Sequence, residues 1–153
     1  MKSVLTGLKK LTHIYLLACV VSLCLLGKGY GSDLVVVVNK NSAVEELTKK
    51  EVIDIYMGRY VSFPNGEPAK PIDFPANSEI KQRFYQMLVN QDERKIKSYW
   101  SRLLFSGRAK PPIETDSSDE VVTLLSTEYS GLAYVERELV TPEMRIVYQF
   151  QQQ

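Results

Sequence analysis

A continuous apolar run lies at residues 34–38, where one leucine and four valines stand between Asp33 and Asn39. A run without alternation predicts a central strand that is buried on both faces, as in parallel sheets covered by helices. Shorter apolar runs predict three more strands, at residues 70–74, 131–135 and 144–148. Between the first two runs, Asn65-Gly66 favours a tight reversal of the chain.

Four helices are predicted by apolar residues at three- and four-residue spacing. The first follows the capping box Thr48-x-x-Glu51 and stops at Gly58. The second begins near Ser78, and its apolar face is expected to contain Ile80, Phe84, Met87 and Leu88.

The third helix has the clearest periodicity, and Gly107 closes it. Its apolar positions are Ile96, Tyr99, Trp100, Leu103 and Leu104. A second capping box, Ser117-x-x-Glu120, opens the fourth helix. The resulting order of strands and helices predicts a layered α/β fold.

The N-terminal segment differs in composition from the rest of the chain. Residues 1–31 contain four lysines and no acid, and a short apolar stretch at residues 14–26 is followed by three glycines. This pattern predicts a secretory signal peptide at residues 1–31 and one exported domain at residues 32–153. An uncleaved membrane anchor is the alternative; after cleavage we expect no stable membrane insertion.

Removal of residues 1–31 changes the chemistry that is available. His13, Cys19 and Cys24 are the only histidine and cysteines, and all three precede residue 32. The remaining chain then has no Cys or His nucleophile and no ligands for a usual zinc site, so we expect a non-enzyme without metal or cofactor. The loss of four lysines also makes the domain acidic, which argues against binding to nucleic acid.

Four segments together resemble a known family. Residues 47–59, LTKKEVIDIYMGR, are similar to the motif L-T-x-E-x-[IV]-x-x-I-[FY]-x-G-[KR] of the substrate-binding proteins of phosphate ABC transporters. A polar turn into a helix at residues 77–84, the stretch at residues 99–108 and SGLAYV at residues 130–135 follow in that family's order. The resemblance implies one lobe of a type 2 periplasmic binding protein, with a central mixed sheet flanked by helices, in the periplasm.

The resemblance also implies a site for a small anion such as phosphate. The family's anion loop corresponds to residues 73–79, where the serine is kept but the arginine, glycines and threonine are not. We therefore expect ligand-binding residues at the second helix's start, namely Asn77, Ser78, Glu79 and Arg83, because helix N-terminal amides favour anions. Plain capping by Ser78, a solvated Arg83 and repulsion of phosphate by Asp73 are the competing interpretations.

Arg59, Arg102 and Arg108 follow or end apolar helices and form a candidate basic patch. Cations are also favoured at helix C-termini by the helix dipole alone, so a purely structural role stays open. Two functions are compatible with these patterns. One is a solute-binding-like domain for phosphate or another small anion; the other is an envelope interaction or sensory-accessory protein that has lost its ligand and contacts a protein partner.

Overall fold

The computed structural model describes residues 33–150 of the 153-residue chain, so the predicted signal peptide lies outside the described residues. The described chain contains five β-strands: β1 Leu34–Asn39, β2 Lys70–Asp73, β3 Ile113–Glu114, β4 Gly131–Glu136 and β5 Met144–Gln149. It contains four α-helices: α1 Lys49–Tyr56, α2 Glu79–Val89, α3 Glu93–Phe105 and α4 Ser118–Thr127. All four predicted helices and all four predicted strands are confirmed, and β3 is an additional strand that the sequence analysis missed.

The strands form one sheet in the order β3-β2-β4-β1-β5. β2 is parallel to β3 and β4, whereas β1 is antiparallel to β4 and β5, so the predicted mixed sheet is confirmed. All six residues of β1 are buried, as expected, and both of its neighbours are antiparallel to it. A continuous apolar run reports burial of both faces and carries no information about the direction of neighbouring strands.

Aromatic side chains join the helices to the sheet. The rings of Phe84 in α2 and Tyr134 in β4 stack with centroids 3.7 Å apart, and Tyr56 of α1 contacts both rings edge-on. The Tyr56 hydroxyl lies 3.0 Å from the carbonyl oxygens of Ile72 and Leu132, to which it donates. These contacts fix α1 and α2 relative to the neighbouring strands β2 and β4.

The local signals at the helix ends are largely confirmed. Thr48 and Glu51 form the complete capping box of α1, and Gly58 follows that helix with a φ of 65°. At the start of α4, Ser117 accepts a hydrogen bond from the Glu120 amide, but the Glu120 carboxylate accepts from the amide of Asp116, so only half of the predicted box forms.

The predicted apolar faces of α2 and α3 need two corrections. Met87 is 38% exposed and Leu104 is 52% exposed, although both were expected on buried faces. In α2 the buried positions include Lys81 and Tyr85, because the helix turns this side towards the buried acid Asp73. At 100° per residue, Lys81 lies beside Phe84 and Leu88 on α2, and an apolar pattern does not indicate a polar group in the core.

The predicted reversal at Asn65-Gly66 is also confirmed. The amide of Phe63 donates to the carbonyl oxygen of Glu67 at 2.8 Å, and Ser62 and Pro68 form an antiparallel bridge. Gly66 has a φ of 87°, a conformation that favours glycine.

Candidate functional site

The predicted anion site lies where β2 ends and α2 begins. Asn77 has a φ of 66°, in the left-handed region, and Ser78 occupies the N-cap position. The Ser78 hydroxyl donates to the carbonyl oxygen of Pro75 at 2.8 Å and makes no side-chain capping bond to the helix. Ser78 therefore closes the preceding turn, whereas the sequence predicted either a side-chain cap or an anion ligand at this position.

An acidic side chain from a neighbouring helix reaches the same turn. Glu93, the first residue of α3, accepts a hydrogen bond from the backbone amide of Asn77 through Oε1 at 2.7 Å. A carboxylate is favoured near a helix N-terminus for the same reason as phosphate, because amide groups and the helix dipole attract negative charge. Phosphate at the Asn77 amide would have to displace this carboxylate.

A second acid, Asp73, is buried directly before the turn, with only 2% of its surface exposed. Its carboxylate accepts hydrogen bonds from the hydroxyls of Tyr134 and Tyr85, the latter at 3.0 Å, and from the amide of Phe74 at 2.9 Å. Lys81 Nζ lies 3.2 Å from the same carboxylate. These donors satisfy a charge that would otherwise be costly to bury.

Lys81 connects Asp73 to the strand at the edge of the sheet, because Nζ also lies 2.8 Å from Oε1 of Glu114. Burial lowers the pKa of Lys81, but the charges and hydrogen bonds of Asp73 and Glu114 outweigh burial and raise it overall. Burial, followed by the negative charge of Asp73, raises the pKa values of Tyr85 and Tyr134. The cluster is therefore a satisfied structural network of neutral tyrosines around an ion pair.

Arg83 is directed to a different acid. Its Nη1 lies 3.0 Å from Oε1 of Glu136 at the end of β4. Arg83 and Glu93 line an open cleft of about 550 Å³, to which Asn77, Ser78 and Glu79 do not contribute. Glu79 is exposed in the first turn of α2. The four predicted ligand residues thus share one chain segment, but Arg83 and Ser78 do not meet in this cleft.

The candidate basic patch is brought together only in part. The hydroxyl of Tyr99 donates to the carbonyl oxygen of Met57 at 2.6 Å, so the end of α1 lies beside α3. Arg59, just beyond this end, pairs through Nη1 with Oδ1 of Asp54 at 3.0 Å. Hydrogen bonds and charges from Lys50 and Arg59 hold the pKa of the buried Asp54 carboxyl below its ordinary value.

Arg102 and Arg108, the other two members of the patch, are exposed at and after the end of α3. Arg102 lines a second open cleft together with Met57 and Tyr99. Among residues 33–150, no group of three or more His, Cys, Asp or Glu side chains is placed to hold a metal ion.

Sequence reasoning missed Glu93 and Lys81, the two residues that decide the electrostatics of this region. The sequence alone indicates an ordinary acid in the first turn of a helix at Glu93 and a solvated helix residue at Lys81. Asp73 gave a weak signal, because a carboxylate that lies in the core directly before a turn requires a hydrogen-bond donor that is also buried. The identity of that donor depends on how α2 packs on the sheet.

The fold is similar to that of solved phosphate-transport proteins. An ABC-type phosphate transport receptor from Vibrio cholerae matches with a TM-score of 0.60 and 14% identity over 75% of this chain and 45% of its own. A putative phosphate ABC transporter substrate-binding protein from Clostridium perfringens, solved with bound phosphate, matches with a TM-score of 0.59 and 16% identity, over 75% of this chain and 44% of its own. PstS from Borrelia burgdorferi matches with a TM-score of 0.57 and 12% identity, over 75% of this chain and 46% of its own.

The chain thus spans less than half the length of these solved proteins. No protein-family model and no curated protein sequence matches it. None of the helices within residues 33–150 is long and apolar enough to cross a membrane. The described residues have the α/β fold of phosphate ABC transporter substrate-binding proteins over part of those proteins' length, which is the extent of a single lobe.

Proposed function

We propose that this chain is an exported, non-enzymatic module, built on one lobe of a substrate-binding protein, that acts in the periplasm through surface contact rather than by capturing phosphate. Export rests on the basic and apolar pattern of residues 1–31, with processing near residue 31. A non-enzymatic role is supported by the solved proteins with this fold, which are transport receptors and substrate-binding proteins.

The hydrogen bond from the Asn77 amide to Glu93 is the observation that carries the proposal. The carboxylate supplies the negative charge at this amide, so a free anion competes with a tethered one that is already in place. The buried charge of Asp73 and the ion pair of Arg83 with Glu136 act in the same direction. Asp73 places a second acid directly before the turn, and Glu136 engages the arginine of α2.

Phosphate binding is the second candidate, and the structural match to a protein solved with phosphate favours it. In that case Glu93 would swing away and leave the Asn77 amide, the Ser78 hydroxyl and the first amides of α2 to hold the anion. The two functions differ in a simple way, because only the second requires phosphate to stabilise the folded chain.

Thermal unfolding of the full chain with phosphate, against chloride at matched ionic strength, separates the two functions. A ligand at 100 times its Kd adds about 2.7 kcal/mol, which raises Tm by roughly 10 °C in a domain of this size. We expect no phosphate-specific rise in the unmodified protein. A rise that Ser78→Ala abolishes would establish the second function and overturn the first.

Glu93→Gln tests the proposed role of the tethered carboxylate directly. Glutamine keeps an acceptor oxygen but loses the charge, so its hold on the Asn77 amide is weaker and phosphate can compete for it. We expect a phosphate-dependent rise in Tm that the unmodified protein lacks. The matched control is Glu79→Gln, which removes an exposed acid from the first turn of α2, the helix that begins at this turn. If both variants respond equally, the gain reflects general electrostatics, and the specific role of Glu93 is rejected.

A further inference from the structure

Positive charge is concentrated in one segment of a nearly neutral chain. The full sequence has 19 Lys and Arg against 18 Asp and Glu, but residues 94–113 contain no acid. This segment covers most of α3 and the loop that leads to β3. Its cationic residues are Arg94, Lys95, Lys97, Arg102, Arg108 and Lys110.

All six of these side chains are exposed, and none forms an ion pair with another residue in the described range 33–150. Several cations elsewhere form ion pairs. Lys40 pairs with Glu143, and Lys70 pairs with Glu128. The unpaired charges therefore add to one positive field instead of being cancelled locally.

Two adjacent large apolar side chains protrude at the end of α3. Phe105, the last residue of α3, is 95% exposed, and its neighbour Leu104 is 52% exposed. At 100° per residue, Phe105 lies on the same outward stripe of α3 as Arg94 and Ser98, opposite the buried Ile96 and Trp100. Arg102 and Arg108 flank this end of the helix in sequence. We call Leu104, Phe105 and the six cations the α3 tip surface.

We propose that the α3 tip surface docks on a membrane surface that carries anionic lipid headgroups. The cations would contact the headgroups, while Phe105 and Leu104 enter the interface between headgroups and acyl chains. The inference builds on the proposed function, in which the chain acts through surface contact, and it names the surface and the chemistry of its counterpart.

A lipid surface fits these residues better than an acidic protein does. Interfaces between proteins are depleted of lysine, and half of the cations here are lysines. The apolar residues also project from a helix end, which suits insertion into a soft interface. A diffuse field of one sign needs no partner groups at fixed positions, and an anionic membrane supplies such a counterpart.

Hydrogen exchange of the full chain with lipid vesicles tests the proposal at the site itself. We expect the backbone amides of residues 101–110 to be protected by vesicles of phosphatidylglycerol and phosphatidylethanolamine, but not by vesicles of phosphatidylcholine. Because the readout is local, any affinity of residues 1–31 for lipid does not produce it. Raising NaCl to 0.5 M is expected to weaken the protection, since salt screens exposed charges.

Two variants measure the separate contributions of charge and apolar contact. Arg102→Gln with Arg108→Gln is expected to lower vesicle affinity roughly 25-fold, at about fivefold for each cation. Phe105→Ser is expected to lower it about tenfold. Lys40→Gln with Lys70→Gln removes two exposed cations elsewhere, and Tyr129→Ser removes an aromatic that is 60% exposed; neither control should change the protection.

Equal protection by both kinds of vesicle, or no protection by the anionic vesicles, overturns the proposal. A vesicle affinity that is unchanged in the Arg102 and Arg108 double variant overturns it as well. Binding of poly-glutamate without binding of anionic vesicles would assign the surface to an acidic protein instead. These results are independent of the phosphate measurement, so failure of the membrane proposal is distinguishable from failure of the proposed function.

Discussion

The start of α2 and the outer end of α3 handle charge in opposite ways. At the start of α2, the Asn77 amide, the Asp73 carboxylate and the Arg83 guanidinium all have partners within the chain. Along α3 and the loop after it, the cations of residues 94–113 have no acidic partner in the described structure, and Phe105 at the end of α3 is almost fully exposed. The segment that matches the family's anion loop is internally satisfied, and the groups available to an external partner lie elsewhere.

The strongest test of this comparison removes the buried acid. Asp73→Ala leaves Lys81 buried without one of its two carboxylates and leaves two tyrosine hydroxyls without an acceptor. Breaking a buried pair in this way costs about 3–5 kcal/mol in the free energy of unfolding. Urea denaturation measures the loss. Asp119→Ala, at an exposed position on α4, is the control and should cost less than about 0.5 kcal/mol.

Two glycines with the same positive φ compare the packed end of α1 with the open end of α3. Gly58 and Gly107 both have a φ of 65°. A Cβ on Gly58 would lie 2.7 Å from the ring of Trp100, whereas a Cβ on Gly107 would have nothing within 4 Å. Gly107→Ala should cost about 1–2 kcal/mol for backbone strain alone, and Gly58→Ala should cost about 1–3 kcal/mol more for overpacking.

Equal costs for the two glycine variants, measured by thermal denaturation, would contradict this assignment. Gly58 would then not be tightly packed against α3, or the loop at Gly107 would not be open. A large loss for Gly107→Ala alone would also argue against a free surface at the end of α3.

Alkaline pH tests the tyrosine and lysine network. Folding raises the pKa values of Tyr85 and Tyr134, so above pH 10 the unfolded chain binds fewer protons at these hydroxyls than the folded chain. Stability therefore falls as pH rises, by about 1.4 kcal/mol per pH unit for each such tyrosine. Lys81 contributes with the same sign, because its stabilising charge is present below its unfolded pKa and is lost as pH rises through the raised folded value.

Chemical denaturation between pH 9 and pH 11 measures this slope. The Tyr85→Phe variant has no hydroxyl to ionise at this position, so the slope of stability against pH should be smaller. Its stability at neutral pH should also be lower, because the hydrogen bond from Tyr85 to Asp73 is lost. A slope that is unchanged in Tyr85→Phe would remove Tyr85 from the network as described.

The smallest stability effect is expected at the α3 tip surface. Arg102→Gln with Arg108→Gln removes two exposed cations without intramolecular ion pairs in the described residues, so the free energy of unfolding should change by less than about 0.5 kcal/mol. Denaturant unfolding provides the measurement. A large loss would show that these arginines stabilise the fold, and the contrast with the start of α2 would not hold.

The sequence predicts most of the fold because its strongest signals are local. The capping box of Thr48 and Glu51, the glycine after α1 and the valines of β1 report conformation and burial over a few residues, and the structure confirms each of them. β3 was missed because two residues carry no periodicity, and the antiparallel pairing of β1 was not predicted because strand direction depends on distant segments.

The candidate site was less predictable, because its chemistry depends on pairs that are distant in sequence. Glu93 of α3 accepts a hydrogen bond from the Asn77 amide at the start of α2. Lys81 of α2 pairs with Asp73 of β2 and with Glu114 of β3, so that contact joins three elements. Helical spacing likewise placed Met87 and Leu104 on buried faces that the packing leaves exposed. The assignment of Asn77, Ser78, Glu79 and Arg83 to a ligand remains a prediction that the phosphate experiment addresses.

The sequence by itself determined the order of the four helices and of four of the five strands, the capping box of α1 and the cationic composition of residues 94–113, since these depend on short-range steric and hydrogen-bonding preferences and on counting charges. Only the tertiary structure decided which charges are cancelled. Coulombic and hydrogen-bonding interactions depend on the distance between groups in space, over a few ångströms, and not on their separation along the chain. Packing alone brings Glu93 to the Asn77 amide and leaves Phe105 and its surrounding cations without a partner in the described chain.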